Sequence, residues 1–403
     1  MRFAAASPPG MATLVLINAL SVLSLNMFLP SLSNIAAEFQ VDYALVTLSI
    51  AGYLAITAVL ILIMGPLSDR FGRRPIMLVA LAVFTFASLV CTLAADIWVF
   101  LAFRVLQGAV IAGWGVSMAV IRDTVPPQEA ASRIGYVTMS MAVAPMLAPM
   151  LGGTLDELFG WRANFVAYTA FGAAAFVLCW VDLGETNKTP SETFAEQFRS
   201  YPELVRSRRF WGFAVCMTFS VAAFHTFLAG APLVAVTMLG LSPAALGFFM
   251  GTITAGFMLG SFLSGRYAKR YALTTMMITG RLVAAAGLIT GLVLFWAGVV
   301  HVGSLFGATV FVGLGNGLTM PSSNAGVMSV RPKLAGSASG LAGALTIGGG
   351  AVLTSITGAV VTEATGAVAL LGLMLFCTLT ALTAALQVFR IDRREGGVRA
   401  REA

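Results

Sequence analysis

The chain has 403 residues, of which 58% are hydrophobic and only 10% charged, and its mean hydropathy is +0.90. A soluble domain carries about 25% charged residues, so this composition excludes a soluble globular protein and points to an integral membrane protein. The net charge of +7 would suggest nucleic acid to a soluble protein. Here the basic residues are accounted for by loops facing anionic lipid, and no nucleic-acid partner is expected.

The apolar runs are continuous rather than alternating, so the spanning elements are helices. At about 20 residues per span the chain has room for twelve. The pattern predicts spans over 11–36, 44–66, 74–95, 97–120, 131–154 and 162–183, then 210–236, 243–265, 274–297, 302–321, 334–361 and 365–389. Arg2 and the apolar stretch behind it look like a signal peptide, but the run from Met11 to Pro30 is too long and no small-residue cleavage site follows. That run is read as the first span. Cys91, Cys179, Cys216 and Cys377 all fall inside apolar runs without a C-x-x-C pair, and are expected to be small buried hydrophobes.

Lysine and arginine placement sets the orientation. Arg70, Arg73, Arg74, Arg122, Arg133, Arg206, Arg208, Arg209, Arg266, Lys269, Arg270, Arg331, Lys333 and the arginines after Val388 share one side, whereas the other holds Arg162 with Glu38, Asp42, Asp96, Asp156, Glu157 and Glu363. An even number of spans with both termini cytoplasmic fits this bias. The expected domains are 1–184, a six-helix bundle; 185–209, a cytoplasmic linker; and 210–403, a second six-helix bundle with a basic tail. In the linker, Thr189-Pro-Ser-Glu192 reads as a capping box, and Phe194, Phe198 and Tyr201 recur at helical spacing. An amphipathic helix on the inner leaflet is predicted there.

The stretch Gly65-Pro-Leu-Ser-Asp-Arg-Phe-Gly-Arg-Arg-Pro75 joins the second and third spans and reads as a tight cationic turn. Gly65 and Gly72 let backbone approach closely, and Pro75 suits the first turn of the next helix. Leu67-Ser68-x-Arg70-Phe71-x-Arg73-Arg74 returns 196 residues later as Leu263-Ser264-x-Arg266-Tyr267-x-Lys269-Arg270, with Gly265 in place of Asp69. That repeat implies a six-plus-six duplication around a midplane substrate site.

A charge inside a bilayer costs about 2.5–3.5 kcal/mol on insertion scales, so each one needs a reason. Arg104 lies some seven residues into the fourth span and either snorkels to the outer interface or serves a function. Arg122 and Asp123 close that span beside Asp69, and with Arg73 they would form a latch between helix ends. His225 is about fifteen residues into the seventh span and titrates near neutral pH; it either shuttles a proton or is a neutral, hydrogen-bonded histidine. Arg281 is assigned to a dipole or headgroup near the inner surface. Candidate cavity residues are Asn26, Tyr53, Trp114, Met118, Met139, Met141, Phe224, His225, Phe249 and Asn316. There is no H-E-x-x-H, Walker loop, G-x-S-x-G or acidic metal cluster. No enzyme, metal or cofactor is therefore expected, and an ion or solute gradient must drive the protein.

The G-x-L-S-D-R-x-G-R-R-P pattern resembles the signature of the major facilitator superfamily, and the all-α fold of two pseudo-symmetric six-helix bundles is what this resemblance implies. Arg104-Val-Leu-Gln-Gly108 resembles the family's R-x-x-Q-G motif, whose arginine is tied to proton transfer in proton-driven members. Ala144-Pro-Met-Leu-Ala-Pro-Met-Leu-Gly-Gly153 looks like the antiporter motif of exporters, with Pro145 and Pro149 bending the helix and Gly152 and Gly153 packing it closely. Gly160-Trp-Arg162 and Leu25-Asn-Met-Phe-Leu-Pro-Ser-Leu32 are similar to the Bcr/CflA drug-resistance branch. That branch usually has an aspartate where this chain has Asn26, which cannot carry a proton. The resemblance implies a monomeric inner-membrane exporter of small amphipathic compounds, driven by proton antiport. The alternative is a proton-independent facilitator or symporter of a small metabolite.

Overall fold

The computed structural model describes residues 9–125, 127–187, 201–267, 270–331, 334–363 and 365–402. Its helices are α1 (Met11–Asn26), α2 (Leu32–Phe39), α3 (Tyr43–Phe71), α4 (Arg73–Leu93), α5 (Ile97–Gln107), α6 (Ala112–Thr124), α7 (Pro127–Phe159) and α8 (Arg162–Asp182). After the short α9 (Tyr201–Val205) come α10 (Arg208–Leu239), α11 (Pro243–Tyr267), α12 (Leu273–Trp296), α13 (Val302–Val330), α14 (Ala335–Val360) and α15 (Gly366–Glu402).

Eleven helical stretches among the described residues are long and apolar enough to cross a membrane. The predicted span 131–154 lies within α7, which is 33 residues long and is not one of the eleven. Large apolar side chains such as Phe86, Trp98, Phe176's neighbour Val177 and Phe262 are exposed on the helix surfaces, as a lipid-facing exterior requires.

Two spans predicted as continuous are interrupted. The first breaks after Asn26 into a 3₁₀ turn at Leu29–Ser31, because Pro30 withholds its amide from the ladder. The fourth breaks after Gln107 into a 3₁₀ turn at Gly108–Ile111. Both interruptions fall beside the polar residues singled out by sequence. The Gly65–Pro75 stretch, expected as a tight turn between spans ending at 66 and beginning at 74, is almost wholly helical. Helix α3 runs to Phe71 and α4 begins at Arg73, leaving Gly72 alone between them with φ of 96°. Nothing lies within 4 Å of a Cβ built on Gly65, so close approach is not the reason for that glycine.

The chain divides into two compact units, Met1–Phe194 with Leu241–Gly251, and Ala195–Gly240 with Thr252–Ala403. In the first, α4 packs on α8, α1 on α7, and α3 and α4 on α5. Phe28, Phe100, Trp161, Phe165 and Tyr168 meet edge to face there with ring centroids 5.3–5.9 Å apart, a geometry that favours the rings' quadrupoles. In the second unit α12 packs on α13, and α10 on α14 and α15. Backbones touch where side chains vanish: a Cβ on Gly256 or Gly260 would lie 2.3 or 2.1 Å from the Val310 or Leu314 carbonyl oxygen. On the facing helix, a Cβ on Gly313 or Gly317 would meet the Ile253 or Phe257 carbonyl oxygen at 1.9 or 2.3 Å. This is small-xxx-small packing of α11 on α13. All four cysteines are buried and free. The predicted linker helix from Thr189 falls outside the described residues, apart from α9 at its end.

Candidate functional site

Arg104 stands in the last turn of α5 and is completely buried, so it does not snorkel. Its Nη1 donates to Gln107 Oε1 at 2.5 Å and to the Ser24 carbonyl at 3.4 Å. Gln107 Nε2 in turn donates to Ser88 Oγ at 2.6 Å. The guanidinium sits over Phe28 at 4.1 Å, Tyr53 at 5.0 Å and Phe165 at 5.8 Å from the ring centroids, so three π-faces stand in for a carboxylate. Gly108 permits this, because a Cβ there would lie 2.4 Å from Ile56 and 3.2 Å from the Tyr53 carbonyl. The R-x-x-Q-G spacing therefore has a local meaning: one turn puts Gln107 against the arginine, and glycine admits α3. Asn26 is buried and donates from Nδ2 to the Val22 carbonyl at 2.8 Å.

At the opposite end of the same unit, Arg73 is bonded to Asp69 one turn earlier, to Asp123 at 3.1 Å and to Ser68 Oγ at 2.6 Å. One buried guanidinium thus ties the end of α3, the start of α4 and the end of α6. The side chain of Arg122 lies outside the described residues. Arg70 stacks beside Phe71 at 5.4 Å. Three residues the sequence reading missed complete the cluster. Glu185 accepts from the backbone N–H groups of Arg73 at 3.0 Å and Arg74 at 3.2 Å, capping the positive end of α4. Thr186 Oγ1 donates to Asp123 at 3.4 Å, and Asn187 Nδ2 donates to the Asp69 carbonyl at 2.6 Å. Gly72 is what admits Glu185, since a Cβ there would stand 2.4 Å from its carboxylate. The available signal was an acid directly after the sixth span, facing a helix start rich in arginine.

Helix α7 contains Pro145 and Pro149. A Cβ on Gly152 would lie 1.5 Å from the Met27 carbonyl oxygen, and one on Gly153 would lie 2.1 Å from that of Pro243. Asn164 braces the crossing, donating to the Gly152 carbonyl at 3.3 Å and to Ser31 Oγ at 3.1 Å. Beyond the helix end, Arg162 bonds Glu38 and the carbonyls of Thr92 and Ala94, and Trp161 donates to Glu38. The Gly160-Trp-Arg162 sequence is thereby a tie between α2, α4 and α8.

In the second unit His225 is buried, and its ring presses on Gly350 of α14, where a Cβ would lie 2.5 Å from Nδ1. Arg281 corrects the expectation of an interfacial residue. It is fully buried, donating from Nη2 to Asn316 Oδ1 at 2.7 Å and from Nε to Thr319 Oγ1 at 3.0 Å. The close passage of α12 over α13 removes it from the surface. Of the cavity candidates, Tyr53 joins Arg104 and Asn316 joins Arg281; Trp114, Met118, Phe224 and Phe249 are half-buried. The side chains of Met139 and Met141 lie outside the described residues. Arg104 and His225 belong to different units.

Buried polar clusters on long apolar helices, with helices crossing on glycine, define a multi-pass membrane protein. Residues 14–355 match the Major Facilitator Superfamily, and the chain belongs to that family. It is 31% identical over 325 residues to multidrug resistance protein MdtL of Escherichia coli O9:H4 (strain HS), covering 79% of this chain and 81% of the relative. It is 28% identical over 351 residues to multidrug resistance protein D of Escherichia coli (strain K12), covering 85% and 87%. Its fold is similar to the crystal structure of a bacterial homologue of the human lysosomal transporter Spinster, with a TM-score of 0.79, 18% identity and coverage of 95% and 96%.

Proposed function

We propose that this transporter exports small amphipathic compounds across a bacterial inner membrane by alternating access, coupled to proton antiport. It does so with twelve spans, α7 supplying the one beyond the eleven, and with both termini cytoplasmic. The observation that carries the reading is α7 itself. Two prolines remove backbone hydrogen bonds, and the glycines behind them let neighbouring backbone run at contact distance, so the helix can bend about a fixed crossing. Relatives named for multidrug resistance support export over uptake. The Arg73 cluster serves as the bistable element, made in one conformation and broken in the other. Arg104 and His225 are the groups assigned to proton coupling.

Asn26 favours a second reading. With an amide where the related branch carries an acid, transport becomes that of a facilitator or symporter independent of protons. Purified protein in liposomes loaded with a pH-sensitive dye separates the two, with a phenicol-type drug added across an imposed pH gradient. Drug-dependent proton flux is the expected result. Drug movement without proton flux would give the facilitator reading the lead.

A further inference from the structure

Each unit carries an arginine with no exposed surface, Arg104 in the first and Arg281 in the second, and their surroundings differ. Arg104 has three aromatic faces around it. Arg281 has no ring over its guanidinium and no salt bridge among the described residues. Its partners are the neutral Asn316 and Thr319, and its Nη1 is buried with no hydrogen-bond acceptor.

The cluster is built on a close helix crossing. A Cβ on Gly280 would lie 2.5 Å from the Gly315 carbonyl oxygen, and one on Gly315 would lie 2.3 Å from that of Gly280. That backbone contact is what sets Arg281 of α12 directly against Asn316 and Thr319 of α13. Asn316 is held at both ends, accepting from Arg281 and donating to the Ser220 carbonyl of α10 at 3.0 Å. Thr319 Oγ1 donates to the Gly315 carbonyl at 2.8 Å while it accepts from Arg281.

A buried guanidinium without a counter-charge is costly, and the neutral partners offset only part of that cost. A preorganised cation with an unused N–H, fixed by amide and hydroxyl neighbours, is the arrangement that recognises an anionic oxygen. We propose that Arg281, Asn316 and Thr319 form a binding subsite for an anionic group, such as a carboxylate, on an otherwise apolar substrate. The transporter on this basis discriminates against lipophilic cations of the same size. The assignment deepens the transporter reading above and rests on it. The cluster is closed in this conformation, so the anionic group reaches it when the second unit rearranges during the cycle.

The test uses two probes of one shape and opposite charge, biphenyl-4-carboxylate and biphenyl-4-carboxamidinium, with the purified full chain. Thermal melts titrated with each should show stabilisation by the carboxylate at concentrations where the amidinium has no effect. Arg281→Gln should weaken the carboxylate response at least about tenfold, as loss of one charged hydrogen bond predicts, and Arg281→Lys should be intermediate. Equal responses to both ions, a preference for the amidinium, or a carboxylate response unchanged in Arg281→Gln would overturn the subsite. If Arg281→Gln does not fold, the parent's choice between the ions and the lysine variant decide. Phenicol-dependent proton flux in liposomes is read separately. Flux without carboxylate preference sinks the anion subsite alone, and carboxylate preference without flux sinks the export reading alone.

Discussion

Arg104 shows how a membrane interior keeps a charge at one residue. Its aromatic neighbours supply attraction without a second ion to desolvate, and Gln107 fixes its orientation through a single short bond. Arg104→Ala should therefore abolish coupled transport, while Arg104→Lys, lacking the planar group that spreads across three rings, should keep substrate binding and lose turnover. Normal proton-coupled transport by Arg104→Ala in liposomes would remove the arginine from the mechanism. His225 poses a sharper question, since its ring is wedged against Gly350 and an imidazolium there would need a new partner. His225→Ala should flatten the dependence of transport rate on pH. A pH–rate profile identical to the parent's would rule out the proton shuttle.

At the scale of elements, the Arg73 cluster is a junction of three helix ends and the strand of chain that leaves α8. Asp69 and Asp123 share one guanidinium, and Glu185 caps α4 from outside that helix. Asp69→Asn should slow transport several-fold with membrane insertion intact, because a neutral amide holds arginine less strongly than a carboxylate; unchanged turnover would dismiss the latch. Glu185→Gln should remove a charge from the α4 N-terminus, an effect of about 0.5–1 kcal/mol, and should slow transport in the same direction as Asp69→Asn. Helix α7 offers a steric test. With the Met27 carbonyl so near, Gly152→Ala should destabilise the protein by about 1–3 kcal/mol through overpacking, measured as a lower melting temperature of the purified transporter.

For the whole molecule the membrane orientation is the property to check. All four native cysteines are buried, so single introduced cysteines report cleanly on sidedness. Glu363→Cys should label with an impermeant thiol reagent in intact cells, and Arg331→Cys only after the membrane is opened. Labelling of both in intact cells would contradict two cytoplasmic termini and the lysine and arginine bias behind them.

The sequence by itself determined the membrane class, the all-helical character and the positions of the charged motifs, because continuous apolar runs and clustered arginines are properties of the chain read one residue after another. It also placed Arg104, Gln107 and Gly108 at one spacing, which the local turn of α5 turns into contact. The tertiary structure alone decided that Glu185, Thr186 and Asn187 belong with Asp69 and Arg73, since over a hundred residues separate them along the chain. It likewise decided that Arg281 is an interior group, because glycines on two different helices set how closely those helices pass. Sequence spacing carries what lies within a helical turn, whereas helix crossings, fixed by backbone contacts between distant segments, carry the rest.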